Sequence, residues 1–149
     1  MITYNTILKT FNEIADTHIG IQNFGNGAME DINIFNKDDK FPVLWVIPQR
    51  VTLGQNSMIY TIRVMVFDIA ESDDSIDDEL LSDTILILND VMMILNSTPF
   101  WNNEEASVVN TPSALPFRQK FVDYCIGWYA DMDIEVPSFN GSGYCQVND

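Results

Sequence analysis

The chain has 149 residues, of which 46% are hydrophobic, and its 22 acidic residues against seven basic ones give a formal net charge of -15. This length and hydrophobic share predict one globular domain with a sizeable core, and they exclude a disordered acidic chain. Because phosphate binding requires clustered Lys and Arg, the composition also argues against direct DNA or RNA binding and against docking on an anionic membrane.

The first residues of the sequence, 1–4, do not start the positively charged region and apolar region that a signal peptide has. No uninterrupted apolar run approaches the roughly 18 residues of a membrane span. We therefore expect a product that stays, at least initially, in the cell that makes it. In that compartment Cys125 and Cys145 are expected to be free thiols rather than a disulfide.

The first predicted element is an amphipathic helix from Thr3 to His18, whose apolar residues recur at helical spacing. Gly20 follows where a helix stop is expected. His18 is the only histidine and falls on the same stripe one turn after Ile14. We interpret it as a hydrogen-bonded residue at a helix end rather than a catalytic base, because nothing places a nucleophile beside it.

Two strands are predicted next. Gly25-Asn26-Gly27 indicates a turn, since no third glycine or phosphate-binding lysine follows it. The apolar run from Phe41 to Pro48 predicts a buried strand that ends at Pro48. Residues 58–69 predict a second strand with two apolar faces, interrupted on one face by Arg63.

An acidic run from Glu71 to Glu79 precedes a long predicted helix over residues 76–96. Ser75, with Asp78 three residues later, resembles a capping box, and the acids favour the positive end of the helix dipole. We read the run as a solvated loop and helix start, and its aspartates are candidates for a subunit interface: Asp73, Asp74, Asp77 and Asp78.

Residues 100–116 predict either a short strand or an extended arm, and Trp101 within them is a candidate anchor at a subunit contact. From Phe121 to Pro137 apolar and polar residues alternate. This pattern predicts a long strand with one packed face and one face that is wet or contacts a partner. Tyr129 on the polar face is a further interface candidate, and Gly127 indicates a bulge or bend.

The polar face of this strand carries Asp131, Asp133 and Glu135 at alternating positions, where three carboxylates are weak candidates for a divalent-cation site. A solvated acidic face is the favoured interpretation, because no histidine, Asn cage or glycine turn supports a metal site. We therefore expect no metal or cofactor, and an enzyme is not expected because no catalytic arrangement stands out.

The predicted fold is α+β, with a mixed or antiparallel sheet packed against two helices. The last strand exceeds a typical strand length, which suggests an extended β-hairpin arm. Residues 1–137 form the single predicted domain, and residues 138–149 form a polar C-terminal tail.

This order of elements resembles that of tailed-bacteriophage tail-terminator and head-to-tail joining proteins. The resemblance covers residues 3–137 as element order, without a diagnostic motif. The quoted elements are the opening helix, the Phe41–Pro48 strand, the Ile59–Ile69 strand containing Asp68, the long helix through Ser82-Asp83-Thr84 and Leu88-Asn89-Asp90, and the Phe121–Pro137 strand.

The resemblance implies a structural virion protein, assembled in the host cytoplasm, that forms a sixfold or twelvefold homo-oligomeric ring at the neck or tail end. Its partners would be other neck, portal or tail proteins, and DNA would pass through the ring without specific binding. The acidic run 71–79 and the face carrying Asp131, Asp133 and Glu135 are then candidates for the lumen or for subunit contacts. The long C-terminal strand and tail depart from the family's pattern and leave the position of the ring open.

Two alternatives stay open at this stage. A small-ligand or divalent-metal-binding α+β module would use Asp131, Asp133 and Glu135. A regulatory protein that mimics DNA with its acidic surface would compete with DNA for a basic partner.

Overall fold

The structure is a computed structural model that describes residues 2–28, 31–32, 41–70, 77–97, 106–120 and 124–137. Within them the chain forms the predicted α+β fold, in which a six-stranded mixed sheet packs against two helices. The elements are α1 Tyr4–Thr17, β1 Asn23–Asn26, β2 Val43–Leu53, β3 Ser57–Ile69, α2 Asp77–Leu95, β4 Ser107–Val108, β5 Leu115–Lys120 and β6 Tyr124–Pro137.

Helix α1 agrees closely with the prediction because both of its ends are specified locally. Thr3 caps the start: its hydroxyl accepts the N–H of Thr6 at 3.3 Å, while the Thr6 hydroxyl accepts the N–H of Thr3 at 3.2 Å. His18 follows the last turn, and its N–H donates to the carbonyl of Ile14 at 2.9 Å. The apolar stripe of the helix is buried, so amphipathic spacing and capping together define this element.

The sheet has the strand order β1-β2-β3-β6, with β4 and β5 both pairing with the far edge of β6. The β1–β2 pair is parallel, and all other pairs are antiparallel. The turn predicted at Gly25 is therefore wrong in part, because Asn23–Asn26 pairs with Val43–Val46 as a strand. The chain turns only afterwards, at Gly27, whose φ is 124°.

The prediction that the second strand ends at Pro48 is also wrong. Strand β2 continues to Leu53, and its register with β3 shifts between Pro48 and Arg50, so that Gln49 forms a β-bulge. Proline is tolerated here because β1 pairs only with Val43–Val46. Beyond these residues β2 is an edge strand of the described sheet, where a missing N–H costs no ladder bond on the open side.

The main core lies between the helices and one face of the sheet. Both helices contribute to this single cluster, so they lie on the same side of the sheet. Alternate residues of the central strands, including Ile62, Val64, Ala130, Met132 and Ile134, complete it. The apolar face predicted for the last strand is confirmed.

A second core cluster covers part of the opposite face, which the alternation had predicted to be wet or to contact a partner. Its buried members come from distant parts of the chain: Ile32, Val43, Trp45, Met65, Phe67 and Cys125. Phe117 and Tyr129 pack against them. The prediction was therefore wrong for the first half of β6, because apolar residues brought in by β2, β3 and β5 cover that half.

Gly127 does not form a bulge, since the β3–β6 register runs without a shift and pairs it with Phe67. A Cβ atom at this position would lie 1.9 Å from the carbonyl oxygen of Val66 and 2.7 Å from the Cα of Phe67. The two strands approach so closely here that only glycine fits.

The long last strand is not a projecting arm. Residues 125–137 of β6 pair with β3 throughout, and the long antiparallel hairpin of the structure is β2–β3. Helix α2 confirms the predicted long helix and buries Thr84, Ile87, Leu88, Val91 and Leu95. Ser75 and the polar tail 138–149 lie outside the described residues.

Candidate functional site

The carboxylates proposed as a weak metal site are used in contacts between strands. Asp131 forms a two-point ion pair with Arg63 on β3, with 2.9 Å between Nε and Oδ1 and 3.2 Å between Nη2 and Oδ2. Asp133 accepts a hydrogen bond from the hydroxyl of Thr61 at 2.6 Å. Both pairs are directly opposite one another in the β3–β6 register.

Asn110 fixes the backbone on the outer edge of the same stretch. Its side-chain N–H donates to the carbonyl of Asp131 at 3.0 Å, and its Oδ1 accepts the N–H of Asp133 at 2.9 Å. The hydrogen bond to Asp131 raises the pKa of the Arg63 guanidinium above its ordinary value, so Arg63 stays charged. In the part of the chain that the structure describes, no group of three His, Cys, Asp or Glu side chains is placed to hold a metal ion.

Tyr129, an interface candidate, is half-buried and already has partners within the chain. The guanidinium carbon of Arg63 lies 4.6 Å from the centre of its ring, and the Phe117 ring centre lies 6.3 Å away. These contacts place Tyr129 at the border between the second core cluster and the Arg63–Asp131 pair.

Among the acids at the start of α2, one forms an ion pair and the others are exposed to solvent. Asp77 pairs with Arg118 on β5 through a contact of 3.0 Å between Oδ2 and Nε, and its side chain is 18% exposed. Asp78, Glu79 and Asp83 are exposed and, with Ser82, line an acidic depression. The other interface candidates, Asp73, Asp74 and Trp101, lie outside the described residues.

Asp68 on β3 is a partly buried carboxylate near this acidic end of α2. Burial raises its pKa above the ordinary value, the N–H of Ile69 donates to its Oδ1 at 2.7 Å and counteracts the rise, and the charge of Asp83 adds to it. The charge of Asp83 on α2 therefore acts on Asp68, near the end of β3.

An apolar groove of about 320 Å³ lies beside α2. One wall is the helix, the other is formed by Pro112 and Ala114, and Ala130 and Met132 form the floor. Leu86, which lines the groove, and Met93, two turns further along the helix, are each 63% exposed. The helix thus presents apolar side chains between acids, with Asp83 preceding Leu86 by one turn and Asp90 following it.

The end of the β2–β3 hairpin, which we define as residues 48–56, is a second exposed surface that carries apolar side chains, and the sequence patterns did not predict it. All nine of its residues are exposed, including Val51 and Leu53. Because of the bulge at Gln49, Val51 lies opposite Tyr60 and Leu53 opposite Met58, on the helix side of the sheet. Arg50 lies opposite Thr61 and therefore points to the other side.

The distribution of charged residues along the sequence distinguishes this hairpin from the rest of the chain. None of the 22 acidic residues lies between Phe41 and Phe67, whereas no Lys or Arg lies between Val64 and Phe117. The chain therefore separates an acid-free hairpin from a base-free region that contains α2.

No protein-family model matches the chain, and no curated protein matches its sequence. Among the described residues, no helix is long and apolar enough to cross a membrane. The features that bear on function are those of an acidic chain with an α+β fold: the apolar groove beside α2, and the exposed Val51 and Leu53 at the hairpin end.

Proposed function

We propose that this protein is a structural subunit that assembles into a ring, in the manner of the phage tail-terminator and head-to-tail joining proteins that its element order resembles. The ring would be sixfold or twelvefold, would lie at the neck or tail end of the virion, and would join neighbouring rings. The observation that carries the proposal is the exposed hairpin end with Val51 and Leu53, because apolar side chains held away from the core favour contact with another protein surface.

The charge distribution supports a ring through which DNA passes without binding. Of the basic residues in the described chain, Arg63 is paired with Asp131 and Arg118 with Asp77, so these two cations are neutralised within the subunit. An acidic surface repels phosphates, and a lumen of this kind lets DNA slide. Asp78, Glu79 and Asp83 are exposed and suited to such a lumen or to its rim.

The test is the assembly state of the purified protein. Native mass spectrometry over a range of concentrations, followed by electron microscopy of the largest species, should show closed rings of one stoichiometry. The same measurements with purified portal, neck or tail proteins should show a ring seated on a partner ring. A chain that remains monomeric alone and with these partners would contradict the proposal.

A second candidate function is a small-ligand-binding module, and the groove beside α2 is the observation that favours it. Its volume of about 320 Å³ lies at the lower end of the roughly 300–1,000 Å³ typical of ligand pockets. A panel of small apolar compounds tested by thermal shift separates the two functions, because a ligand that binds only the native state raises the melting temperature in a saturable way.

A further inference from the structure

The two exposed apolar surfaces differ in charge in a way that matches them to each other. The hairpin end carries no acid, and Arg50 is its only charged residue. The exposed face of α2 carries Glu79, Asp83 and Asp90 and no base. In a chain of net charge -15, most surfaces of two copies repel one another, whereas these two surfaces do not.

We propose that the hairpin end of one copy docks on α2 of a second copy, with Leu53 and Val51 entering the apolar groove beside Leu86. This inference rests on the proposed ring function and names the contact that would close the ring. The occupant of the groove is thus a second copy of this chain.

The shapes of the two surfaces fit this arrangement. Val51 and Leu53 are two residues apart on one strand face and therefore project side by side. A groove of about 320 Å³ that is open along Leu86 and Met92 offers room for two aliphatic side chains. Leu53 is 76% exposed and Leu86 is 63% exposed in the single chain, so docking removes both from water.

Side chains rather than the strand edge make this contact. Pairing of edge strands between copies requires free backbone N–H groups, but β2 carries Pro48 at its open edge and the opposite edge strand β5 carries Pro116. Proline at an edge is a feature that blocks strand addition. The exposed apolar side chains of the hairpin give a contact that does not depend on free backbone N–H groups.

Arg50 has a peripheral part in this contact because it projects from the other side of the hairpin. Its charge draws the hairpin towards the acids of α2 during approach. Reversal of this charge should therefore act mainly on the association rate and on the dependence of assembly on salt, while loss of Leu53 should act on the stability of the complex.

The contact is heterologous, since the two surfaces share no residue, and a repeated heterologous contact forms a ring when its rotation closes. This property gives a complementation test with two variants. Leu53→Asp disables the hairpin and leaves the groove intact, and Leu86→Asp does the reverse. Each variant alone should raise the dissociation constant at least about tenfold in native mass spectrometry.

An equimolar mixture of Leu53→Asp and Leu86→Asp should form one-to-one heterodimers and nothing larger. The intact hairpin of one variant meets the intact groove of the other, and the remaining surfaces are both disabled. Ile19→Asp is the matched control, because Ile19 is 94% exposed and lies on neither surface, and it should assemble like the unmodified protein. Circular dichroism should show the same fold for all three variants.

The outcomes separate this inference from the proposed ring. Rings of the unmodified protein that both variants leave intact would overturn the inference and leave the ring function standing. The same holds if each variant is monomeric and their mixture stays monomeric, since the surfaces then do not meet. An unmodified protein that is monomeric at every concentration overturns both proposals.

Discussion

His18 Nε2 lies 2.9 Å from Oδ2 of Asp90, although the two residues are 72 positions apart. The other ring nitrogen, Nδ1, accepts the N–H of Gly20 at 2.9 Å. A neutral ring with its hydrogen on Nε2 satisfies both contacts and joins the end of α1 to α2. The interpretation of His18 as a hydrogen-bonded residue at a helix end is thus confirmed, and its contact with Asp90 links the end of α1 to α2.

His18→Ala should lower the free energy of unfolding by about 1 kcal/mol, because it removes an acceptor for Gly20 and a donor for Asp90. Asp90→Ala should cost about 0.5 kcal/mol or less, since Asp90 is 52% exposed and solvated. Urea denaturation of the two single variants and the double variant measures the coupling. Fully additive losses would show that the pair contributes nothing to stability.

Gly127→Ala should destabilise the protein by about 3 kcal/mol or more, because the added Cβ would collide with the backbone of Val66 and Phe67. Thermal or urea unfolding checks this. Gly54→Ala is the matched control: its Cβ would lie 3.0 Å from the carbonyl oxygen of Ser57, in an exposed turn that can shift. Equal losses at the two positions would contradict the close approach of β3 and β6.

Asp68→Asn should stabilise the protein relative to the unmodified chain, increasingly as the pH rises. The pKa of Asp68 is raised by burial in the folded state, so the native protein binds its proton more tightly than the unfolded chain does. Stability therefore falls as the pH rises from the unfolded-state pKa of about 3.9 through the higher folded-state pKa, and the loss persists above it.

Unfolding free energies of the Asp68→Asn and unmodified proteins, measured in parallel between acidic and neutral pH, isolate this effect from the other acids. Asn keeps the oxygen that accepts the N–H of Ile69. Asp83→Asn is a second arm of the experiment, because it removes one cause of the raised pKa and should make the difference smaller. A difference between Asp68→Asn and unmodified protein that does not vary with pH would refute the raised pKa.

Calcium or magnesium should produce no saturable rise in melting temperature beyond that of sodium chloride at equal ionic strength. Asp131 is held by Arg63 and Asp133 by Thr61, so a divalent ion would have to break these contacts. The sodium chloride arm is needed because any salt screens the repulsion in a chain of charge -15. A saturable rise that Asp131→Asn abolishes would revive the divalent-metal alternative.

Local patterns in the sequence accounted for both helices, for β3 and β6, and for the first half of β2, but not for β1 or β5. Two patterns show which side of an element is apolar: the capped apolar stripe before His18 and the alternation after Phe121. Such a pattern depends only on residues that are close together in the sequence. The acids at the start of α2 could be located in the same way. The α+β class followed from the order of these elements.

The tertiary structure alone decided which surfaces stay exposed. Cys125 lies on the face of its strand that the alternation predicted to be polar. It is nevertheless buried, because strand pairing places it in one apolar cluster with Trp45 and Phe67. One extra residue at Gln49 reverses the faces of the rest of β2, which places Val51 and Leu53 on the helix side. Registers, bulges and long-range partners depend on contacts between distant segments, and for that reason periodicity within a segment could predict neither the second core cluster nor the hairpin end.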